Sequence, residues 1–226
     1  MGVENDTEGL ARTGPDQGVE PKVRDESVAG FLRRLAAGTP TPAGGAVAAL
    51  NAAQAASLVA MVARYADASS PEGGDAHEAA ARADRLRERA LDLATEDGEA
   101  FASVADAYAL PREGAGAAER RGSAIRDALA RAALPQAAVV TVARELVELA
   151  GLLLPTVTVS TQPDLAAASD AAYAAASTAR LNVEANLRGL DEDDDRRAVL
   201  HGLGDVDELL RRASELRETV RRGFVA

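Results

Sequence analysis

The sequence predicts an all-α protein, a multi-helical bundle of about seven or eight helices. Three observations support this prediction. Alanine, which has the highest intrinsic helix propensity, is by a wide margin the commonest residue. The residues that strands favour are scarce, since aromatic side chains make up 3% of the chain and tryptophan is absent. Long segments also repeat apolar residues at spacings of three and four, the period of a helix that packs on one face.

Composition excludes several classes of function. The chain has 226 residues, which is long enough to bury a core without disulfides or a structural metal. It contains no cysteine, so thiolate metal sites and cysteine nucleophiles are excluded. The only histidines, His77 and His201, are far apart in sequence, and we expect neither a metal nor a bound cofactor. The formal net charge of −11 argues against nucleic-acid and anionic-membrane partners.

The domain organisation is simple. Residues 1–25 are rich in glycine, proline and acidic residues and predict a disordered acidic tail, followed by one helical domain over residues 26–226. The tail lacks the apolar segment of a signal peptide, and we expect a cytoplasmic protein. Residues 46–63 carry no charge, but they are mostly alanine and include Asn51, Gln54 and Ser57, so we expect no membrane span.

The first half of the domain predicts three helices. A short helix over residues 27–37 ends at Gly38, before a loop that contains two prolines and the pair Gly44-Gly45. A second helix over residues 45–69 follows. Its larger side chains fall near one face: Val47, Leu50, Gln54, Leu58, Met61 and Tyr65. A third, strongly charged helix spans residues 75–110 and is stopped by Pro111.

The second half predicts further helices over residues 116–133, from Pro135 to just before Pro155, from Pro163 to residue 190, and over residues 205–222. Residues 156–162 are strand-like in composition, but one isolated run does not make a sheet. The acidic run over residues 191–195 predicts the cap of a further short helix. The last helix is amphipathic through Val206, Leu209, Leu210, Ala213, Leu216 and Val220.

Polar residues on inward-facing positions are the candidate functional residues of such a bundle. Asp97 falls in the middle of an apolar stripe on the third helix, where a desolvated carboxylate becomes a candidate acid or base. A structural role, in which Asp97 caps a helix or pairs with an arginine, is the alternative. Asn182 and Asn186 lie one turn apart, and this spacing predicts that their amides bind one polar ligand. A hydrogen bond between two helices is the alternative. Asp170 lies on the opposite flank of the same helix.

The loop at Gly44-Gly45 launches the second helix. Free N–H groups and the helix dipole favour an anion at such an N-terminus, and glycine allows a ligand to approach the backbone closely. The alternative is a tight connection between two helices. The loop is not a phosphate loop, because no Gly-Lys-Ser/Thr follows it.

These segments together resemble the cyclodeaminase/cyclohydrolase family, whose opening reads approximately Pro-x-Pro-Gly-Gly-Gly-Ser-Val-Ala-Ala-Leu. The matching segments here are TPTPAGGAVAAL, ATEDGEAFASVADAYALPRE and PDLAAASDAAYAAASTARLNVEANLRGL. Order and spacing agree from about residue 27 to the end. The sequence departs from the family at Ala43, where a glycine is usual, at Ala46, where a serine is usual, and at Thr161-Gln162, where Gly-Asn is common.

The resemblance implies an all-α homodimer that acts on a one-carbon-substituted tetrahydrofolate. It implies Asp97 or Asp170 as the catalytic carboxylate. It places Pro42, Gly44, Gly45, Asn182 and Asn186 around the substrate, with the asparagines on the pterin ring and the helix N-terminus or nearby arginines on the carboxylate tail. Methenyltetrahydrofolate cyclohydrolase is the expected activity. Formiminotetrahydrofolate cyclodeaminase, and a non-catalytic helical dimer that binds folate or another ligand, are the alternatives.

Overall fold

The computed structural model describes residues 23–69, 74–188, 190 and 194–225, and these form seven α-helices and no β-strand. The helices are α1 Val28–Leu35, α2 Gly44–Ser69, α3 Gly74–Ala109, α4 Ala117–Leu153, α5 Gln162–Leu187, α6 Asp194–Leu203 and α7 Val206–Val225. The predicted all-α class is confirmed. The predicted tail lies outside the described residues up to position 22, and Val23–Asp25 form a 3-10 turn.

Helix α2 is the centre of the bundle and packs against α3, α4 and α5. Its buried side chains are small: Ala48, Ala49, Ala52, Ala53, Ala55, Ala56, Val59, Ala60, Val62 and Ala63. Because the distance between two packed helices depends on the side chains at their contact, these alanines let the neighbouring helices come close.

Five of the larger apolar residues of α2 lie on its least buried face, whereas Val59 and Val62 lie in the core. Val47, Leu50, Leu58 and Met61 are only partly buried, and Tyr65 is 59% exposed. By length and composition alone, Gly44–Ala68 could cross a membrane, yet 61% of the 18-residue apolar window within it is buried in the bundle. The stripe seen in the sequence therefore marks an outward face, while the alanines form the core.

Helices α3 and α4 form a long antiparallel hairpin. The predicted break between residues 133 and 135 is wrong, because α4 runs without interruption through Pro135. Proline has no N–H to donate to the carbonyl four residues earlier, that of Arg131. The helix nevertheless continues, and Arg131 is an exposed residue.

The C-terminal helices follow the sequence pattern closely. Helix α5 begins with Pro163 in its first turn, as predicted, although it ends at Leu187 rather than residue 190. The strand-like segment contains the 3-10 turn Val159–Thr161. The predicted short helix after the acidic run is α6. All six predicted apolar positions of α7 are buried, and Asp205 Oδ1 accepts a hydrogen bond from the N–H of Glu208 at 2.9 Å, which caps the helix.

Candidate functional site

Asp97 lies on α3 at the level where the core meets solvent. The preceding positions of its stripe, Leu86, Ala90 and Leu93, are buried, and the following ones, Phe101, Val104 and Tyr108, are partly exposed. Asp97 itself is partly buried. The spacing predicts that Asp97 lies on the inward stripe of its helix. In the structure this position is at the edge of the core and not at its centre.

The first turn of α2 holds the Asp97 carboxylate. A Cβ added to Gly45 would lie 2.1 Å from Asp97 Oδ1 and 2.5 Å from its Cγ, a separation that real Cβ atoms do not show. Only glycine at position 45 leaves room for the carboxylate. The N–H of Ala46 donates a hydrogen bond to it, and because a backbone group makes this bond, alanine in place of the family's serine preserves it. The close approach permitted by Gly45 is thus to the chain's own Asp97.

Helix α4 supplies the second partner. Gln136 is completely buried, and its Nε2 donates to Asp97 Oδ1 over 2.6 Å. Its Oε1 is buried and makes no hydrogen bond with any described residue. Since α3 and α4 run antiparallel, Gln136 reaches the level of Asp97 from one turn of α4, directly after Pro135.

Burial raises the pKa of the Asp97 carboxyl above its ordinary value, and the hydrogen bonds from Gln136 and from the N–H of Ala46 oppose that rise without cancelling it. No charged neighbour contributes to the shift. A carboxyl in this state binds a proton more readily than a solvated aspartate, and it is not locked as a carboxylate by a cation. Such an environment suits a group that takes up and returns a proton.

Asn182 of α5 also reaches this turn. A Cβ on Gly44 would lie 3.9 Å from Asn182 Nδ2, which is ordinary van der Waals contact. That Nδ2 donates to the carbonyl of Thr178 at 2.9 Å, so the amide is held by its own helix. Asn186, one turn further along, is partly buried and makes no hydrogen bond with another described residue.

The structure thus brings Asp97, Gly44, Gly45 and Asn182 together, four of the residues that the sequence singled out. Pro42 is buried in the loop immediately before α2. Gly44 is exposed and Asn182 is partly buried, so this side of the group is open to solvent.

Asp170 lies elsewhere. Its side chain is 53% exposed and pairs with Arg217 of α7 over 3.2 Å. It is twelve residues before Asn182 on α5, or about 18 Å along the helix axis at ~1.5 Å per residue. No described contact joins Asp170 to the group around Asp97.

A cleft of about 440 Å³ opens at the other end of α2, lined by Met61, Tyr65, Ala66, Thr156, Thr158, Ser160, Thr161 and Asp164. Met61 is sixteen residues from Gly45, about 24 Å along the helix at ~1.5 Å per residue. None of the residues that line this cleft belongs to the group around Asp97. Within the described ranges, no three His, Asp or Glu side chains converge as a metal site would require.

Gln136 is the residue that the sequence analysis missed. The apolar stripe of α4, read from Val139 onward, extends back by three residues to position 136. The test that identified Asp97, a polar residue interrupting an inward stripe, would have identified Gln136. The expected helix break at Pro135 hid it, because position 136 then fell in the first turn of a new helix.

Comparison with known proteins adds three findings. The profile of the formiminotransferase-cyclodeaminase family matches residues 27–203. A methenyltetrahydrofolate cyclohydrolase of Methylorubrum extorquens is 31% identical over 203 residues, covering 87% of this chain and 94% of that protein. The solved structure of a formiminotetrahydrofolate cyclodeaminase from Thermotoga maritima has the same fold, with a TM-score of 0.77 over 90% of this chain and 100% of that chain at 24% identity.

Proposed function

We propose that this chain acts as a methenyltetrahydrofolate cyclohydrolase. The chain belongs to the formiminotransferase-cyclodeaminase family and is a one-carbon tetrahydrofolate enzyme. The reaction adds water to methenyltetrahydrofolate and gives formyltetrahydrofolate. The observation that carries the proposal is the desolvated Asp97 carboxyl, held by Gln136 and the first turn of α2 in a chain 31% identical to a protein of that name.

The first step requires a base. The methenyl carbon is bonded to two nitrogens and belongs to an amidinium-like cation, so it is already electrophilic. The oxygen of water forms a bond to this carbon, and the π electron pair of the C=N bond moves to nitrogen. Asp97, in its ionised form, takes the proton that the water loses.

The second step requires an acid. One C–N bond of the hydrated carbon breaks, and its electron pair stays on the leaving nitrogen, which takes the proton from Asp97. The hydroxyl proton goes to solvent, and a formyl C=O remains. One proton is released overall, and Asp97 ends in the ionised form in which it began. The mechanism therefore uses a single carboxyl in both protonation states.

Substrate positioning falls to the groups around Asp97. Asn182 lies beside the Gly44 turn, and Asn186 follows one turn later on α5. We assign the amides of both to the donors and acceptors of a pterin ring. Pro42, Gly44 and Gly45 shape the edge of this site. The tail carboxylates of the folate are assigned to arginines, because Asp97 already occupies the N-terminal turn of α2.

Asp170 is the weaker catalytic candidate. Its exposed carboxylate is engaged by Arg217, and no desolvation favours proton uptake there. We assign proton transfer to Asp97, and the Asp170→Asn variant then measures what an exposed carboxylate of the same bundle contributes.

The proposed assembly is a homodimer in the cytoplasm, formed through the outward face of α2. That face carries Val47, Leu50, Leu58, Met61 and Tyr65 partly exposed. No charged residue occurs over residues 46–63, although the chain's net charge is −11, so two copies can meet there without placing like charges in the contact. Sedimentation at micromolar concentration should give twice the chain mass, and Leu58→Glu should give the monomer. A wild-type monomer would reject the dimer.

The experiment for the proposed activity follows the absorbance of methenyltetrahydrofolate with and without the protein. We expect the protein to accelerate its loss, and Asp97→Asn to abolish most of that acceleration. Ammonia release from formiminotetrahydrofolate, without methenyl hydration, would assign the cyclodeaminase reaction instead. Folate binding without turnover of either compound would leave the non-catalytic dimer.

A further inference from the structure

The amide of Gln136 is the most unusual polar group of the bundle. It is completely buried, one end contacts Asp97 at 2.6 Å, and the other end has no described partner. A buried acceptor without a hydrogen bond is costly, and leucine at this position would pack without that cost. The placement of an amide here calls for a reason beyond packing.

The reaction proposed above supplies a reason. Asp97 has to be a carboxylate when water attacks and a carboxylic acid when the leaving nitrogen takes a proton. An arginine partner would favour the carboxylate, and a backbone carbonyl would favour the acid. A glutamine amide carries a donor and an acceptor of nearly equal size, and a half-turn about its last torsion exchanges them without a change in volume.

We propose that Gln136 is a positioning residue that pairs with Asp97 in both protonation states, donating from Nε2 to the carboxylate and accepting at Oε1 from the acid. This inference rests on the proposed function. In either state one end of the amide bonds to Asp97 and the other end stays unpartnered, so the cost of the orphaned atom is similar in both. Donation to the charged carboxylate is the stronger of the two hydrogen bonds, so the amide holds the carboxyl in both forms and favours the carboxylate modestly.

Among the described neighbours of the Asp97 carboxyl, Gln136 is the side chain that hydrogen-bonds to it. From α2 the carboxyl meets Gly45 and the N–H of Ala46, which is a donor in both states. From α5 the nearest polar side chain of this turn is the neutral Asn182. On α3 the neighbouring Glu96 is turned to an exposed pair with Arg89. No charge contributes to the pKa of Asp97.

The test replaces the amide with a side chain of similar shape. Gln136→Met keeps the volume and removes both hydrogen-bonding ends. Val140→Ala, one turn further along α4 and equally buried, is the matched control for a loss of packing. Two readouts are compared for each variant: the pH profile of methenyl hydration, and the titration of Asp97 followed by carbon-13 NMR of its carboxyl in the absence of substrate.

We expect Gln136→Met to move the Asp97 titration and the acid limb of the pH profile to higher pH, because the carboxylate loses a donor. We expect kcat to fall by about tenfold to a hundredfold, the scale of a misplaced catalytic group, with KM little changed. Val140→Ala should lower stability and leave both midpoints in place. Unchanged midpoints in Gln136→Met would overturn the proposal, whatever the stability.

A wild-type measurement covers the case in which Gln136→Met does not fold. The side-chain amide signals of Gln136 should titrate with the same midpoint as the Asp97 carboxyl, since the amide turns when the carboxyl gains a proton. Amide signals that stay constant through that midpoint refute the exchange. Failure of the proposed function is seen separately: a wild-type protein that does not hydrate methenyltetrahydrofolate, while the two groups titrate together, rejects the activity and keeps the pairing.

Discussion

Asp97 and Asp170 are both aspartates on long helices of one bundle, and the structure gives them opposite surroundings. Asp97 is desolvated, touches neutral donors only, and has a raised pKa. Asp170 is 53% exposed and faces the guanidinium of Arg217. The difference lies in what each carboxylate meets on the neighbouring helix: the glycine turn of α2 in one case and a flexible cation on α7 in the other. A desolvated carboxyl among neutral donors suits proton transfer. A solvent-exposed carboxylate paired with an arginine belongs to the solvated surface.

The largest expected effect belongs to Asp97→Asn. We expect turnover to fall by roughly a hundredfold or more, the usual scale for a lost acid or base, while the fold and folate binding persist. A purely structural Asp97 predicts the reverse, a stability loss of about 1–3 kcal/mol with turnover per folded molecule intact. Melting temperature and rate, measured on one preparation, separate the two roles.

The next effect contrasts the two adjacent glycines. In Gly45→Ala the added Cβ would lie 2.1 Å from Asp97 Oδ1, so the carboxylate must move, and we expect kcat to fall by about tenfold or more. Gly44→Ala meets nothing closer than 3.9 Å and leaves Asp97 in place, so kcat should stay within about twofold, and any loss from the contact of position 44 with substrate should appear in KM. Equal losses in both variants would show that the turn serves substrate access and not the placement of Asp97.

The pH dependence of stability gives a third contrast. Because the pKa of Asp97 is raised in the folded state, the folded protein binds more protons than the unfolded chain between the ordinary aspartate value and the folded value. The free energy of unfolding contributed by this group therefore falls as pH rises through that window. As pH rises through this window, the urea midpoint of the wild type should fall relative to that of Asp97→Asn. A difference that stays flat with pH contradicts the raised pKa.

The smallest effect is expected for Asp170→Asn. The pair with Arg217 is solvent-exposed, and such pairs contribute about 0–1 kcal/mol. We expect turnover within about twofold of wild type and a stability change at the low end of that range. A loss of turnover comparable to that of Asp97→Asn would reverse the assignment of the two carboxylates.

Helices α7 and α2 show how far periodicity predicts burial. In α7 every predicted apolar position is buried, because polar and apolar residues alternate sharply and only one face can enter a core. In α2 nearly every residue is apolar, so hydrophobicity does not distinguish the faces. Side-chain size separates them in part: the alanines lie against the other helices together with Val59 and Val62, and the leucines, Met61 and Tyr65 lie on the outward face.

Four features were predictable from the sequence: the helical class, most helix boundaries, the start of α2 at Gly44-Gly45 and the inward position of Asp97 on α3. Helical period places a residue on a face of its own helix, and that information is local. Only the packed bundle shows that Asp97 contacts Gly45, that Gln136 hydrogen-bonds to Asp97 and that Asp170 pairs with Arg217. These contacts depend on the rotation and depth of one helix against another, which the close packing of many alanines sets jointly.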